Sequence, residues 1–214
     1  MKHLVITGAS GGLGKAIVEV FAAASWEIAA PTHGELDVAD SAAIRGYFEL
    51  RPVDLLICAA GITRDALMSR LDESTWDELL AVNYQGAATC AAAVLPQMIK
   101  RRSGHVIFIS SHSAIHPPRG QIAYATAKAA LLGLTPSLAQ RNGRHGVRVN
   151  AILPGFLETG MTESVSEKRR AEILSEHVLG RFNTPATVAR FIRHLHEDLS
   201  HTSGQVFQLD SRIA

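Results

Sequence analysis

Short apolar runs rich in β-branched residues alternate along the chain with longer stretches of helical periodicity. Residues 3–7 read as a strand and 14–24 as the helix that follows it. Further strands are predicted over 27–30, 53–58, 105–110, 147–153 and 205–209. Most of these runs are apolar at consecutive rather than alternate positions, the pattern of parallel strands covered on both faces. Helices predicted over 41–50, 74–100, 122–143 and 185–198 supply the crossovers between them. The fold class that follows is α/β: a single-domain, Rossmann-like, doubly wound parallel sheet over residues 1–214.

One spacing breaks the rhythm. Only about five residues separate the second strand from Leu36-Asp37-Val38, whereas a parallel crossover takes about a dozen or more. The helix between strands 2 and 3 is therefore expected to be missing. Residues 36–38 should pass the sheet edge as a loop or minimal strand, leaving that side open.

Composition narrows the class further. Hydrophobic residues make up 47% of the chain and charged ones 19%, with 21 basic side chains against 20 acidic. That balance points away from disorder, nucleic acid and membrane surfaces. No apolar stretch is expected to reach the roughly 20 residues of a membrane span, and the N-terminus enters a strand directly, so a cytoplasmic protein is expected. Cys58 and Cys90 lack CxxC spacing and sit in apolar surroundings, as buried free thiols do. The ten histidines form no HExxH, and His194 and His196 face different sides of their helix, so no metal site is expected.

Directly after the first strand comes TGASGGLG, residues 7–14, leading into an amphipathic helix. Gly8 can take a sharp turn, Gly12 can admit a pyrophosphate, and Gly14 can let the helix pack closely, while the helix start offers free amides and a positive dipole. Strand before and helix after make this a dinucleotide loop. The end of the second strand reads Pro31-Thr32-His33, without the carboxylate that holds a ribose 2′-hydroxyl, which favours NADP(H) over NAD(H), with Lys15 or His33 in reach of a 2′-phosphate. Asp37 and Val38 are expected at the adenine.

Tyr124 and Lys128 stand at i and i+4 on one helix face. A cation beside a phenol favours the phenolate and makes an acid/base of it. Ser111 follows a buried strand at its carboxyl end, where ligands sit in open α/β sheets. Taken singly, such a pair is commonly a surface contact and such a serine a helix cap.

Together these residues resemble the short-chain dehydrogenase/reductase superfamily over nearly the whole chain. TGASGGLG is similar to its cofactor loop, Ala59-Ala60-Gly61 to the end of its N-N-A-G segment, Val82-Asn83 to its asparagine, and Ser111, Tyr124 and Lys128 to its remaining catalytic positions. The resemblance implies that Tyr124 donates a proton to a carbonyl oxygen that Ser111 also binds. Lys128 would bind the nicotinamide ribose and lower the tyrosine pKa, and Asn83 would hold a relay water. Cofactor contacts are implied at Gly8, Ser10, Gly12, Leu13, Gly14, Thr32, Asp37, Val38, Ala59, Ala60, Gly61, Tyr124, Lys128, Pro154, Gly155, Leu157 and Thr159. CAAGITRD (58–65) and RVNAILPGFLETGMT (148–162) are closer still to 3-oxoacyl-acyl-carrier-protein reductases and acetoacetyl-CoA reductases. Three departures stand out: Cys58 in place of the first asparagine, the missing helix, and a tail Asp210-Ser211-Arg212-Ile213-Ala214 where those reductases carry a glycine pair.

The implied reaction is reduction of a 3-oxoacyl thioester, on acyl carrier protein or CoA, to the 3-hydroxyacyl thioester. The alternatives are a ketoreductase or alcohol dehydrogenase acting on another ketone, and a non-catalytic dinucleotide sensor. Residues 157–184 resemble the family's substrate lid and include an amphipathic helix over 166–176. His112 and His116 lie where the resemblance places the substrate mouth. Arg102 is the first candidate for acyl carrier protein docking, with Arg101, Arg141, Arg144 and His145 near by. A homodimer or homotetramer built through the two long helices is implied.

Overall fold

The computed structural model describes residues 2–213. Six parallel strands form one sheet in the order β2-β1-β3-β4-β5-β6. They are β1 (His3–Thr7), β2 (Glu27–Ala29), β3 (Leu55–Cys58), β4 (Gly104–Ile109), β5 (Val147–Leu153) and β6 (Val206–Gln208). Neighbouring residues on a strand feed different cores, which explains the unbroken apolar runs. Val5, Val106 and Phe108 join the layer containing α2 (Ser41–Phe48), α4 (Gly86–Arg101) and α5 (Ile122–Asn142). Leu4, Ile6, Ile107 and Ile109 join the layer containing α1 (Gly12–Ala22) and α7 (Pro185–Glu197).

The predicted helix 74–100 is a longer rod with a defect in it. α3 (Glu73–Leu80) runs into a π-helical turn at Ala81–Gln85 and then into α4. This run, Glu73–Arg101, is long and apolar enough by length and composition to cross a membrane, contrary to the expectation that no stretch would be. Its apolar surface is used on the sheet instead: Cys90, Ala91, Val94 and Met98 are buried against the strands.

The β2 side is trimmed, as the spacing requires. Among the described residues no helix lies between Ala29 and Ser41, and residues 36–38 are loop rather than strand, so β2 itself is the sheet edge. The loop folds on itself. Thr32 donates its N–H (2.8 Å) and its hydroxyl (2.9 Å) to the Glu35 carboxylate, and Leu36 is buried beside Ile44 and Phe48. The Asp40 carboxylate then accepts the N–H groups of Ala42 and Ala43 and starts α2. A groove of about 310 Å³ lies over β1 and β2, walled by Ala30, Glu35, Tyr47 and Arg51.

Candidate active site

The strand order reverses between β1 and β3, and at their carboxyl ends a groove of about 1480 Å³ opens. That is the usual ligand position in a doubly wound sheet, and the volume exceeds the roughly 300–1,000 Å³ of small-molecule sites. Its floor begins at Gly8, where φ is +74° and an added Cβ would lie 2.5 Å from the Ala60 nitrogen. Only glycine fits: the turn needs the left-handed region, and the chain leaving β3 fills the space a side chain would take. That chain is tied down by Ala59 N–H to Thr7 O (3.2 Å) and Ala60 N–H to Thr7 Oγ1 (3.4 Å). Gly12 opens α1, and the Thr159 side chain lies against it from across the groove.

Lys128 forms the opposite floor. It is buried, and its Nζ donates to Ile109 O at 3.0 Å, while Ser110 Oγ donates to Lys128 O at 2.8 Å, so the start of α5 is fastened to the end of β4. Burial pushes the ammonium down to about 8. Tyr124, one turn earlier, has its ring centroid 5.8 Å from Lys128 Nζ. Its phenol is raised above its ordinary value, burial outweighing the Ser111 hydroxyl, which lowers it, while the Asp65 charge raises it further. In the chain by itself, burial outweighs the groups that favour the phenolate. The ammonium is turned to Ile109 O, and the desolvated phenol keeps its proton. Ser111 caps a short 3-10 turn, its Oγ accepting Ser113 N–H at 3.1 Å.

Asn83 sits in the π-helical turn, fully buried. Its amide donates to Ile62 O and Leu79 O, both at 3.0 Å, and its Oδ1 accepts Ile62 N–H at 3.2 Å. Both amide hydrogens are thus spent on backbone carbonyls, while Oδ1, with one accepted bond, keeps a second acceptor site. The side chain holds the β3–Gly61 segment beside Lys128.

The groove gathers the expected residues from the glycine loop, the β3 exit, Ser111, α5, the β5 turn at Pro154-Gly155, and Leu157 and Thr159. Ala60, Asn83, Thr32, Asp37 and Val38 are not among the residues that line it. Asp37 accepts Ala39 N–H at 2.9 Å, and Val38 is buried against Gly86 at the start of α4. Arg102, in a left-handed conformation, caps α4 and donates to Arg144 O at 3.0 Å. It precedes β4, at the end of the sheet opposite the groove.

Sequence reasoning missed three groups. Glu35 puts a carboxylate just past β2; its signal was the three-residue spacing from Thr32, which suits a local side-chain turn. Asp65 and Arg212 also reach the groove wall. Nothing local in the sequence marks either as a site residue, because each arrives from a distant loop or tail.

The residues present fit a dinucleotide. The loop at Gly8 brings backbone amides and a helix start to the groove with no side chain in the way, and Tyr124 and Lys128 line the other end of the same space.

A family model described as short chain dehydrogenase matches residues 34–170. The 3-oxoacyl-[acyl-carrier-protein] reductase FabG of Thermotoga maritima is 36% identical over 99% of this chain and 97% of its own length. The enzyme of the same name from Chlamydia trachomatis is 34% identical over 100% and 97%. Among solved structures, one titled as an NAD(P)-dependent gluconate 5-dehydrogenase from Beutenbergia cavernae, with NADP bound at low occupancy, superposes with a TM-score of 0.93. It is 30% identical and covers 98% of this chain and 95% of that one. With the groove, the glycine turn and the Ser111, Tyr124 and Lys128 wall on one side and full-length similarity on the other, the chain belongs to the short-chain dehydrogenase family, oxidoreductases that bind NAD(P) and act on CH–OH and C=O groups.

Proposed function

We propose that the protein reduces a 3-oxoacyl thioester, carried on acyl carrier protein or CoA, to the 3-hydroxyacyl thioester. The observation that carries this reading is the placement of a protonated Tyr124 phenol, the Ser111 hydroxyl and the Lys128 ammonium at one end of a groove whose other end is the glycine turn. Full-length similarity to two reductases of that specificity supports the thioester.

When bound, a reduced nicotinamide supplies hydride to the carbonyl carbon. The chain's own part is to hold the carbonyl and complete the addition. Ser111 Oγ accepts from Ser113 N–H, which orients it, and its proton, shared with Tyr124, would turn to the substrate oxygen. Tyr124 gives its proton to that oxygen as charge develops there, and Lys128 stabilises the phenolate left behind. Asn83 braces the segment after β3 and would hold the water of the proton relay. Gly8, Ser10, Gly12, Leu13 and Gly14 would hold the pyrophosphate. Ala59 to Gly61, Pro154, Gly155, Leu157 and Thr159 would flank the nicotinamide half, and residues 157–184 would shield it from water.

NADP(H) is the preferred cofactor in this reading. Glu35, the first carboxylate after β2, is taken up by Thr32 and lines the smaller groove over β1 and β2, whereas Lys15 lines the main groove. Thr32, Asp37 and Val38 remain the adenine-side candidates only if the loop turns toward the ligand. Pairing of two copies through α4 and α5 would suit Arg102: an antiparallel arrangement of these helices carries each copy's Arg102 end toward the partner's groove, where an acidic carrier would dock.

Oxidation of NADPH and NADH with acetoacetyl-CoA and acetoacetyl-acyl carrier protein tests the whole reading. Turnover with either thioester, faster with NADPH, is expected. Turnover with free ketones but with neither thioester would sink the substrate assignment.

A further inference from the structure

Beyond β6 the chain departs from the reductases it resembles, and the departure is built into the groove. Asp210 has a fully buried side chain. It accepts the Arg212 guanidinium through Nε (2.8 Å) and Nη2 (2.5 Å), and the Gln208 amide at 2.9 Å. The same carboxylate is packed on Gly155: φ there is +83°, and a Cβ would lie 2.5 Å from Asp210 Cβ and 2.9 Å from its Oδ2. The tail is thus seated on the Pro154-Gly155 turn that walls the groove.

From that seat the tail reaches the lid. Helix α6 (Glu167–Ser175) buries a single residue, Ile173, so apolar contact alone holds it weakly. Its carboxyl end is tied instead by polar groups. His177 bridges to Arg212 in antiparallel fashion, Val178 N–H donates to Ser211 O at 3.2 Å, and Leu179 N–H donates to Ser211 Oγ at 3.3 Å. Arg212 Nη1 stands 3.9 Å from the Glu176 carboxylate. The His177 ring is buried, with Nδ1 2.8 Å from Ile173 O. Its Nε2 is the one buried side-chain polar atom without a hydrogen-bond partner among the described residues, and it faces Asp210 Oδ2 at 3.9 Å. Ile173, Glu176 and Arg212 all line the groove. Arg212 is also close enough to His112, the neighbour of Ser111, to help push that imidazole down to about 4, after burial as the main cause.

We propose that Asp210 and Arg212 are positioning residues for the carbonyl substrate: together they latch the lid helix α6 to the Pro154-Gly155 turn and so set the closed shape of the groove. The carbonyl chemistry in this statement rests on the function proposed above; the latch does not. Nothing in it requires either side chain to touch the reacting atoms. The Arg212 fork is what the geometry uses, since a planar guanidinium sets two nitrogens side by side on Asp210 and a third toward Glu176, a fixed spread that the single nitrogen of an ammonium does not reproduce.

Limited trypsin digestion reads the latch directly, because Lys168, Arg169 and Arg170 all lie on α6. In the full chain without added ligand, Asp210→Asn and Arg212→Met should speed cleavage at these sites by about tenfold or more, with Arg212→Lys in between and the unfolding midpoint of Arg212→Lys unchanged. In turnover of acetoacetyl-CoA the same variants should raise KM for the thioester by about tenfold and change kcat by less than about threefold. Unchanged cleavage in Arg212→Met and Arg212→Lys would overturn the latch. Faster cleavage with KM unmoved would overturn the positioning role, leaving a structural tie. Absence of thioester turnover in the unaltered chain would count against the reaction alone, since the cleavage comparison stands without it.

Discussion

Tyr124, Lys128 and Ser111 stand on a helix and a strand end that the two cores hold from below, whereas Thr32, Glu35 and Asp37 stand on an exposed loop whose polar groups satisfy one another. At the reacting end of the groove, burial sets the chemistry: it lowers the ammonium and raises the phenol, against the Ser111 hydroxyl, which lowers it. On the loop after β2 solvent reaches every charged group, and local hydrogen bonds hold Glu35 below its ordinary value through the Thr32 N–H first and its hydroxyl second. The two regions therefore differ in how far a side chain's identity predicts its role. A lysine buried beside a tyrosine has few things it can do; an exposed glutamate can be turned aside by one threonine.

The contrast is broken most severely by removing the proton donor. Tyr124→Phe keeps the ring in its place on α5 and deletes only the hydroxyl, so the fold and the glycine end should be untouched. Reduction of acetoacetyl-CoA should fall by about 10³-fold, within the range general acids contribute, while NADPH affinity by fluorescence titration changes less than about twofold. A fall of less than tenfold would mean that another group supplies the proton and that the buried end is not the reacting one.

A second consequence follows from the Lys128 ammonium at about 8. As pH rises through that value the cation that stabilises the departing phenolate is lost, so kcat/KM for reduction should decline by about tenfold per unit above it. Stability moves the other way. The folded pKa lies below the ordinary 10.5, so the unfolded chain binds more protons between the two values, and this group's contribution to stability rises with pH across that window. A declining rate with an undiminished thermal midpoint from pH 8 to 9.5 is therefore the expected pair of observations, and Lys128→Met should abolish the alkaline limb. A rate that stays flat to pH 9.5 in the unaltered chain would remove Lys128 from the proton transfer.

Why the sequence displayed one end more fully than the other is visible in particular residues. The strands at His3–Thr7 and Val147–Leu153 and the helix from Ile122 were readable to within a residue, because each strand feeds two cores and must be apolar throughout. Tyr124 and Lys128 were readable because helix periodicity fixes their neighbourhood within one turn. The absence of a helix before Leu36 was readable from chain length alone. The π-helical turn at Asn83 was not, since its extra residue leaves the hydrophobic period nearly intact while turning the asparagine onto Ile62. Nor was the Asp210–Gly155 seat, which joins positions far apart in the chain and was foreshadowed only by a tail that differs from the resembled pattern.

The mildest test concerns the open end, and it separates charge from position. Lys15 lines the main groove and Glu35 the smaller groove over β1 and β2, so only the first should meet a 2′-phosphate. Lys15→Ala is expected to lower the ratio of NADPH to NADH specificity, measured as kcat/KM for each, by about fivefold. That is the size of a solvent-exposed ion pair near 1 kcal/mol. Glu35→Ala should move the same ratio by less than about twofold, because its carboxylate serves Thr32 and is screened from the main groove. If Glu35→Ala instead raised the NADPH preference several-fold, the carboxylate would be reaching the ribose, and the loop after β2 would have to unfold its Thr32 contacts to do so. The missing helix would then have made the cofactor end adaptable, and the difference between a braced reacting end and a passive open one would give way to two ends that both respond to the ligand.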